Sequence, residues 1–338
     1  MDTKLKNVFS ELKQKIDPII KKMLLMNVDS AHRDLVLYQI NCGGKRLRPI
    51  LAILTYKMFG GRKKEILWPA SSLEILHNYT LILDDIIDHS EKRRKQLTVW
   101  RKYGPVIAQC ASMTYAAAIF ALPPNINNKD KILNLLSETL KAITDGQILD
   151  ILFEQSGREK EPYIIKNRYQ KVSLKDYYRM ISRKTTKLIE ASCLVGGLCA
   201  GASEKDLRFL KEFGFNLGIA FQIQDDILDI FGDEKKFGKQ IGKDIIEHKL
   251  GNIVIALTLN SLDKKDKEKF LNILKSKVNF SQIKRAMNLI KKTDARQKAE
   301  KEKEKFIFQA QSLLAKMPNN KWGKILGKLS NYLLERNV

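Results

Sequence analysis

Apolar residues recur every three or four positions over 5–25, 68–88, 131–153, 185–200, 206–231 and 265–291. That period places them along one face of an α-helix and predicts a chain built almost wholly of helices. Strand signals are sparse, and no alternating run is bounded by an Asn-Gly or Asp-Gly turn. The helical pattern breaks at Gly43-Gly44, at Gly60-Gly61, at Pro123-Pro124 with the polar stretch after it, and at Gly232-Asp233. No repeat and no long linker interrupts it. The expected architecture is a single all-α domain over residues 1–338, a large helical bundle.

Composition supports a packed core. The chain has 338 residues, 44% of them hydrophobic, with 18 Gly and 8 Pro. Its formal charge of +23 admits several partners: nucleic acid, an anionic membrane surface, small anionic substrates, or water alone around a lysine-rich surface. The charge is uneven. Residues 261–338 carry 20 Lys and Arg against 8 Asp and Glu, a net of +12. The densest stretch, Lys291 to Lys305, mixes both signs at helical spacing and reads as a solvated helix face.

The four cysteines, Cys42, Cys110, Cys193 and Cys199, form neither a C-x-x-C pair nor a zinc pattern. They make no disulfide framework, which points to a reducing cytoplasm. The N-terminal segment is interrupted by charges, unlike a signal peptide. The longest apolar run, near Tyr115–Leu122, is far shorter than the roughly 18 residues of a membrane span. The expectation is a soluble, cytoplasmic protein with at most peripheral membrane contact.

Two acidic clusters carry the chemistry. LILDDIID holds Asp84, Asp85 and Asp88; FQIQDDILDIFGD holds Asp225, Asp226 and Asp229, then Asp233. Both read D-D-x-x-D within apolar helical surroundings. Positions i and i+4 share a helix face, so Asp84 pairs with Asp88 and Asp225 with Asp229. Like charges at that spacing repel, and burial raises the cost. A chain that does this twice calls for a compensating cation. Mg²⁺ suits the need, because it binds through one or two carboxylates, waters and substrate phosphates. The spacing of the clusters lets helices from two parts of the chain face each other across a cavity.

Cations lie near the first cluster. CGGKRLRP supplies Lys45, Arg46 and Arg48 after a Gly-Gly break. A new helix start with arginines and a lysine can hold a phosphate. An ordinary basic helix start is the plainer alternative. Arg93 and Arg94 follow Asp88 within two turns, and His77 lies two turns before Asp84. By themselves these fit salt bridges and a structural histidine equally well.

Taken together, the motifs resemble the polyprenyl synthetase family, the trans-isoprenyl diphosphate synthases. The matching elements are GGKRLRP at 43–49, DDIID at 84–88, Arg93-Arg94, GQILD at 146–150, Lys184-Thr185, FQIQDDILD at 221–229 and GKQIGKD at 238–244. They stand in the family's order from about residue 40 to 250. The resemblance implies an all-α bundle around a central apolar cavity, a homodimer, and three Mg²⁺ per active site. It implies Asp84 and Asp88 as ligands of two ions holding an allylic diphosphate, with Asp225 on the third and Asp229 also on the metal. Asp85 and Asp226 would support them. Arg93, Lys184, Lys239, Gln222 and Thr185 would contact the allylic diphosphate. Lys45, Arg48, His77 and Arg94 would hold isopentenyl diphosphate. Gln147 and Asp150 would buttress the site. The implied reaction is ionisation of the allylic substrate, attack by the isopentenyl double bond and loss of a proton. No Ser/His/Asp or Cys/His arrangement is needed for it, and none is evident.

Some positions depart from the family pattern. Where R-R-G-K-P-T is usual, this chain has Arg93-Arg94-Lys95-Gln96-Leu97-Thr98, and Ser112-Met113 replaces Gly-Asp. Leu83 stands where a histidine often precedes the first aspartate. Product length should follow the depth of the tunnel below Asp84. Tyr79 and Thr80 lie five and four residues before it, and Tyr79 is roughly 7–8 Å down the helix. A ring there makes a floor, which implies a C15–C20 product, nearer C20. Three alternatives remain: a class I terpene cyclase, a non-catalytic partner subunit and a nucleic-acid binder. Intact Lys45, Arg48 and Arg94 oppose the first, the two aspartate motifs the second, and buried acidic clusters the third.

Overall fold

The computed structural model describes residues 3–232, 242–276 and 278–334. It divides into two compact units: Met1–Leu140 with Leu188–Gly214 and Leu313–Leu329, and Lys141–Lys187 with Phe215–Ser312 and Ser330–Val338.

In the first unit the central element is the helix Leu67–Ile87. Its residues Pro69 to Leu76 are buried without a break. A helix apolar on every side belongs inside a layer of others. Here Thr3–Leu25, Leu47–Met58 and Pro105–Ala118 pack around it. The helix Thr3–Leu25 shows how the period works: Leu5, Phe9, Leu12, Ile16, Ile20 and Met23 all turn inward at spacings of three or four. Each such side chain contributes roughly 1.5–3 kcal/mol on burial.

The second unit has its own core. Ile219, Ile223, Ile227 and Ile230 form one face of the helix Glu204–Phe231. They pack with Tyr177, Met180 and Ile181 of the helix Leu174–Ile181 and with Ile253 to Ile255 of Ile253–Ser261. Phe270, Leu274, Leu289 and Ile290 complete the layer. The same periodicity leaves Gln222, Asp225 and Asp229 together on an adjoining face.

Two expectations need correction. The pattern over 265–291 is two helices, Lys264–Lys275 and Phe280–Lys291. The apolar period continues because both helices bury onto one core. The break comes from Ser276, whose backbone is extended, and from Asn279, which forms a capping box with Gln282.

The second correction is a two-stranded hairpin, in which Lys92 pairs Leu97 and Arg93 pairs Gln96. Its turn residues, Arg94 and Lys95, have φ of 52° and 67°, values usually served by Asn-Gly. Tertiary bonds hold it instead. Thr98 donates its hydroxyl to Ser90 O at 2.8 Å, Trp100 Nε1 donates to the same carbonyl at 2.9 Å, and Tyr38 donates its hydroxyl to Leu97 O at 2.9 Å. Among the described residues, no helix is long and apolar enough to cross a membrane.

The turn generates a test. Lys95 occupies a left-handed position at a cost that glycine does not incur. Lys95→Gly should raise stability by about 0.5–1 kcal/mol, read as a higher urea midpoint. An unchanged or lower midpoint would show that Lys95 makes contacts that outweigh its strain.

Candidate active site

The first acidic motif closes the helix Leu67–Ile87. Asp88 is its C-cap, with its N–H donated to Asp84 O at 2.8 Å. Asp84 and Asp88 are half-buried, while Asp85 is 1% exposed. Burial of Asp85 is made possible by Arg93, whose Nε and Nη2 reach both carboxylate oxygens at 2.8–3.0 Å. The hairpin therefore delivers Arg93 to this motif, and the pair neutralises the innermost aspartate.

Gly43 and Gly44 turn the chain at φ of 88° and 140° ahead of the helix Leu47–Met58. A side chain at Gly44 would meet the guanidinium groups of Arg46 and Arg94 at 2.8 Å. Arg94 donates to Gly43 O. Arg46 turns inward and is 3% exposed. It bonds Asp17 at 2.7 Å, Glu74 at 3.2 Å and the carbonyls of Gly43 and Ile40 at 3.0 Å each. The segment thus divides its cations: Arg46 ties helices together, while Lys45 is exposed and Arg48 half-buried. Burial, then the guanidiniums of Arg48, Arg94, Arg93 and Arg46, hold the His77 imidazole well below its ordinary range. His77 is therefore neutral at pH 7. Tyr79 and Thr80 are half-buried on the same helix, with the Thr80 hydroxyl donating to His77 O at 2.8 Å.

In the second unit Asp226 faces inward, 3% exposed. It accepts from Tyr177 Oη at 2.8 Å, Gln222 Nε2 at 2.8 Å and Ile253 N at 3.0 Å. Even so, burial and the Asp244 carboxylate push it up to about 8. Asp229 accepts from Lys243 N and Asp244 N, both at 3.2 Å. Burial and Asp244 raise it too. Asp225 is half-buried on the neighbouring face.

Residues Ser182–Thr186 form a π-helical turn, a form common at functional sites. It packs so tightly that a side chain at Gly146 would come within 2.3 Å of Lys184 N. The turn aims Lys184 at Asp150, 2.6 Å away, and Thr185 at Gln222, to whose Oε1 its hydroxyl donates at 2.7 Å. Lys184 and then Lys249, 3.3 Å away, hold Asp150 well below the usual carboxylate range despite its burial. Gln147 buries its amide nitrogen with no hydrogen-bond partner among the described residues.

Asp84, Asp85, Asp88, Arg93, Arg94, His77, Lys45 and Arg48 thus share one unit. Gln147, Asp150, Lys184, Thr185, Gln222, Asp225, Asp226 and Asp229 share the other. Lys239 and Asp233 lie outside the described residues. Sequence reasoning missed Tyr177, Lys249 and Asn252. Asn252 donates to Asp244 at 2.8 Å and to Asp226 O at 3.3 Å while capping Ile253–Ser261. An Asn before an apolar run is a recognisable cap; the lone Tyr and Lys give no such signal.

Hard oxygen donors crowded in burial suit a hard divalent cation. Among the described residues, no three His, Cys, Asp or Glu side chains converge enough to hold an ion alone. Mg²⁺ does not require that, because waters and substrate phosphates complete its shell.

The Polyprenyl synthetase family matches residues 30–290. The chain belongs to that family. It is 36% identical over 282 residues to a short chain isoprenyl diphosphate synthase of Methanocaldococcus jannaschii, covering 82% of this chain and 81% of the relative. It is 31% identical to heptaprenyl diphosphate synthase component 2 of Bacillus subtilis, over 99% of this chain and 92% of that one. Geranylgeranyl pyrophosphate synthetase from Pyrococcus horikoshii superposes with a TM-score of 0.83 at 30% identity, covering 99% and 100% of the two chains. The synthase is all-α and a prenyltransferase.

The split within the basic segment is testable. Arg46→Met strands Glu74, which is 2% exposed, and should cost the synthase about 3 kcal/mol in urea unfolding. Arg46→Lys should recover little of it, because Lys lacks the fork that reaches four partners.

Proposed function

We propose that this synthase condenses isopentenyl diphosphate with an allylic diphosphate to give an all-trans C15–C20 product, nearer C20. The single observation that carries the reading is the pairing of half-buried Arg93 with buried Asp85 beside half-buried Asp84 and Asp88. It presents two acidic groups and a cation at one helix end. Asp84 and Asp88 would hold two Mg²⁺, with Asp225 on the third and Asp229 beside it. When bound, the ions neutralise the leaving diphosphate and so ease rupture of the allylic C–O bond.

The chain's own residues do the rest. Arg93, Lys184, Lys239, Gln222 and Thr185 grip the allylic diphosphate, with Asp85, Asp226, Gln147 and Asp150 fixing their positions. Lys45, Arg48 and Arg94 hold isopentenyl diphosphate. A neutral His77 adds a hydrogen-bond donor there without a further positive charge. The isopentenyl double bond attacks the allylic cation, and the proton then leaves to the departing diphosphate. Apolar walls keep out water that would quench the cation. The whole chain acts as one synthase domain, in a homodimer, in a reducing cytoplasm.

A second reading follows from the relative that is a heptaprenyl synthase component: the chain works with a different partner subunit. The purified chain alone decides between them. Turnover with isopentenyl and farnesyl diphosphates supports the first reading. Turnover only after a second subunit is added supports the other.

Two variants test the site. Asp84→Ala should lower kcat by about 10²–10³-fold, and added Mg²⁺ should not restore it. Tyr79→Ala removes the floor five residues before Asp84 and should shift products beyond C20 on chromatography. An unchanged product would show that Tyr79 only packs between helices.

A further inference from the structure

The basic stretch Lys291 to Lys305 has one face with specific partners. The part of the helix Ala295–Leu314 up to Ser312 lies in the same unit as Phe215–Phe231 of the second aspartate motif's helix, and contacts it there. Arg296 sits over the Phe231 ring at 5.0 Å. Ala299 is fully buried. Glu302 accepts from Tyr178 Oη at 2.9 Å, and the Phe306 and Tyr178 rings are 5.8 Å apart. Lys303 donates from Nζ to Gln224 Oε1 at 2.7 Å. Arg296, Ala299, Glu302 and Phe306 are spaced by three or four positions, and Lys303 lies four after Ala299, which marks a single helix face.

Gln224 is 2% exposed and immediately precedes Asp225. Tyr178 follows Tyr177, the hydroxyl donor to Asp226. The two contacts therefore act on both sides of the motif.

We propose that this helix is a splint for the second aspartate motif, with Lys303 and Glu302 as positioning residues that set metal and allylic diphosphate binding. Lys303 works through a neutral amide and not by pairing with an aspartate. Its effect is thus the placement of Asp225, and removing it leaves a buried carbonyl oxygen without that donor. The inference rests on the proposed metal-dependent reaction.

The test is Mn²⁺ binding to the full-length protein with inorganic diphosphate, followed by electron paramagnetic resonance of the free ion, beside steady-state kinetics. Lys303→Met should weaken Mn²⁺ binding about tenfold. It should raise the KM for geranyl diphosphate similarly, with kcat at saturating Mg²⁺ held within about twofold. Lys303→Arg should restore both. Tyr178→Phe, which keeps the ring but loses Glu302, should move both values in the same direction. Lys301→Met, at an exposed position of the same helix, should change neither. Unchanged binding in Lys303→Met, even with a lower melting temperature, overturns the proposal. Tighter binding overturns it too, because Lys303 would then act as a competing charge. A wild-type chain that binds no Mn²⁺ and makes no product would instead overturn the proposed reaction.

Discussion

Carboxylates one helical turn apart repel each other, and an apolar surrounding multiplies that repulsion. This chain places two such sets in its helices, and much of the surrounding structure manages their charge. At the first set the answer is a full counter-charge. Arg93 covers the most buried aspartate with a bidentate pair, which leaves Asp84 and Asp88 as the half-buried members. At the second set the answer is hydrogen bonding. Asp226 takes three donors and Asp229 two backbone N–H groups, yet both stay shifted upward. Donors orient a carboxylate without cancelling its charge. The second motif therefore keeps an electrostatic demand that the first has partly met from within.

The same economy governs the cations. Lys45, Arg46 and Arg48 are near neighbours in sequence and differ in fate. Arg46 enters its helix from a left-handed backbone at φ of 54°, which turns its side chain into the interior. There it meets Asp17, Glu74 and two carbonyls. A buried charge is tolerable only with that many partners. Asp150 shows the converse. One carboxylate holds two lysines, Lys184 and Lys249, so two ammonium groups can sit close together without repelling each other apart.

The helices and both aspartate motifs were legible because they rest on local periodicity. Helical spacing alone places Asp84 beside Asp88 and Asp225 beside Asp229. The hairpin at 92–97 was not legible, since its turn residues, Arg94 and Lys95, carry no turn preference and distant hydrogen bonds impose the geometry. The split of 265–291 was hidden for a related reason: two helices bury onto one core, so hydrophobicity keeps its period across the break. Lys249 and Tyr177 act through partners far away in sequence, and no local pattern marks such residues. Asn252 was readable as a cap, but its bonds to Asp226 and Asp244 depend on the tertiary fold.

The charge of +23 can now be divided by its physical use. Arg46, Arg93 and Lys184 have carboxylate partners at 2.6–3.2 Å, and Arg48, Arg94 and Arg93 add to the burial that keeps His77 neutral. None of these needs nucleic acid. In residues 291–305 the reading of a solvated face holds for Lys301 and Lys305, which are exposed. It fails for Lys303, which is half-buried with its Nζ on Gln224, while Arg296 stays exposed as it crosses the Phe231 ring. A long cationic side chain can lay its methylenes on apolar surface while its end group finds a partner. Lysine and arginine at alternate turns of one helix can therefore look like solubilising charge in the sequence and still act as packing in the fold. Composition counts the charges; the face each occupies decides what they do.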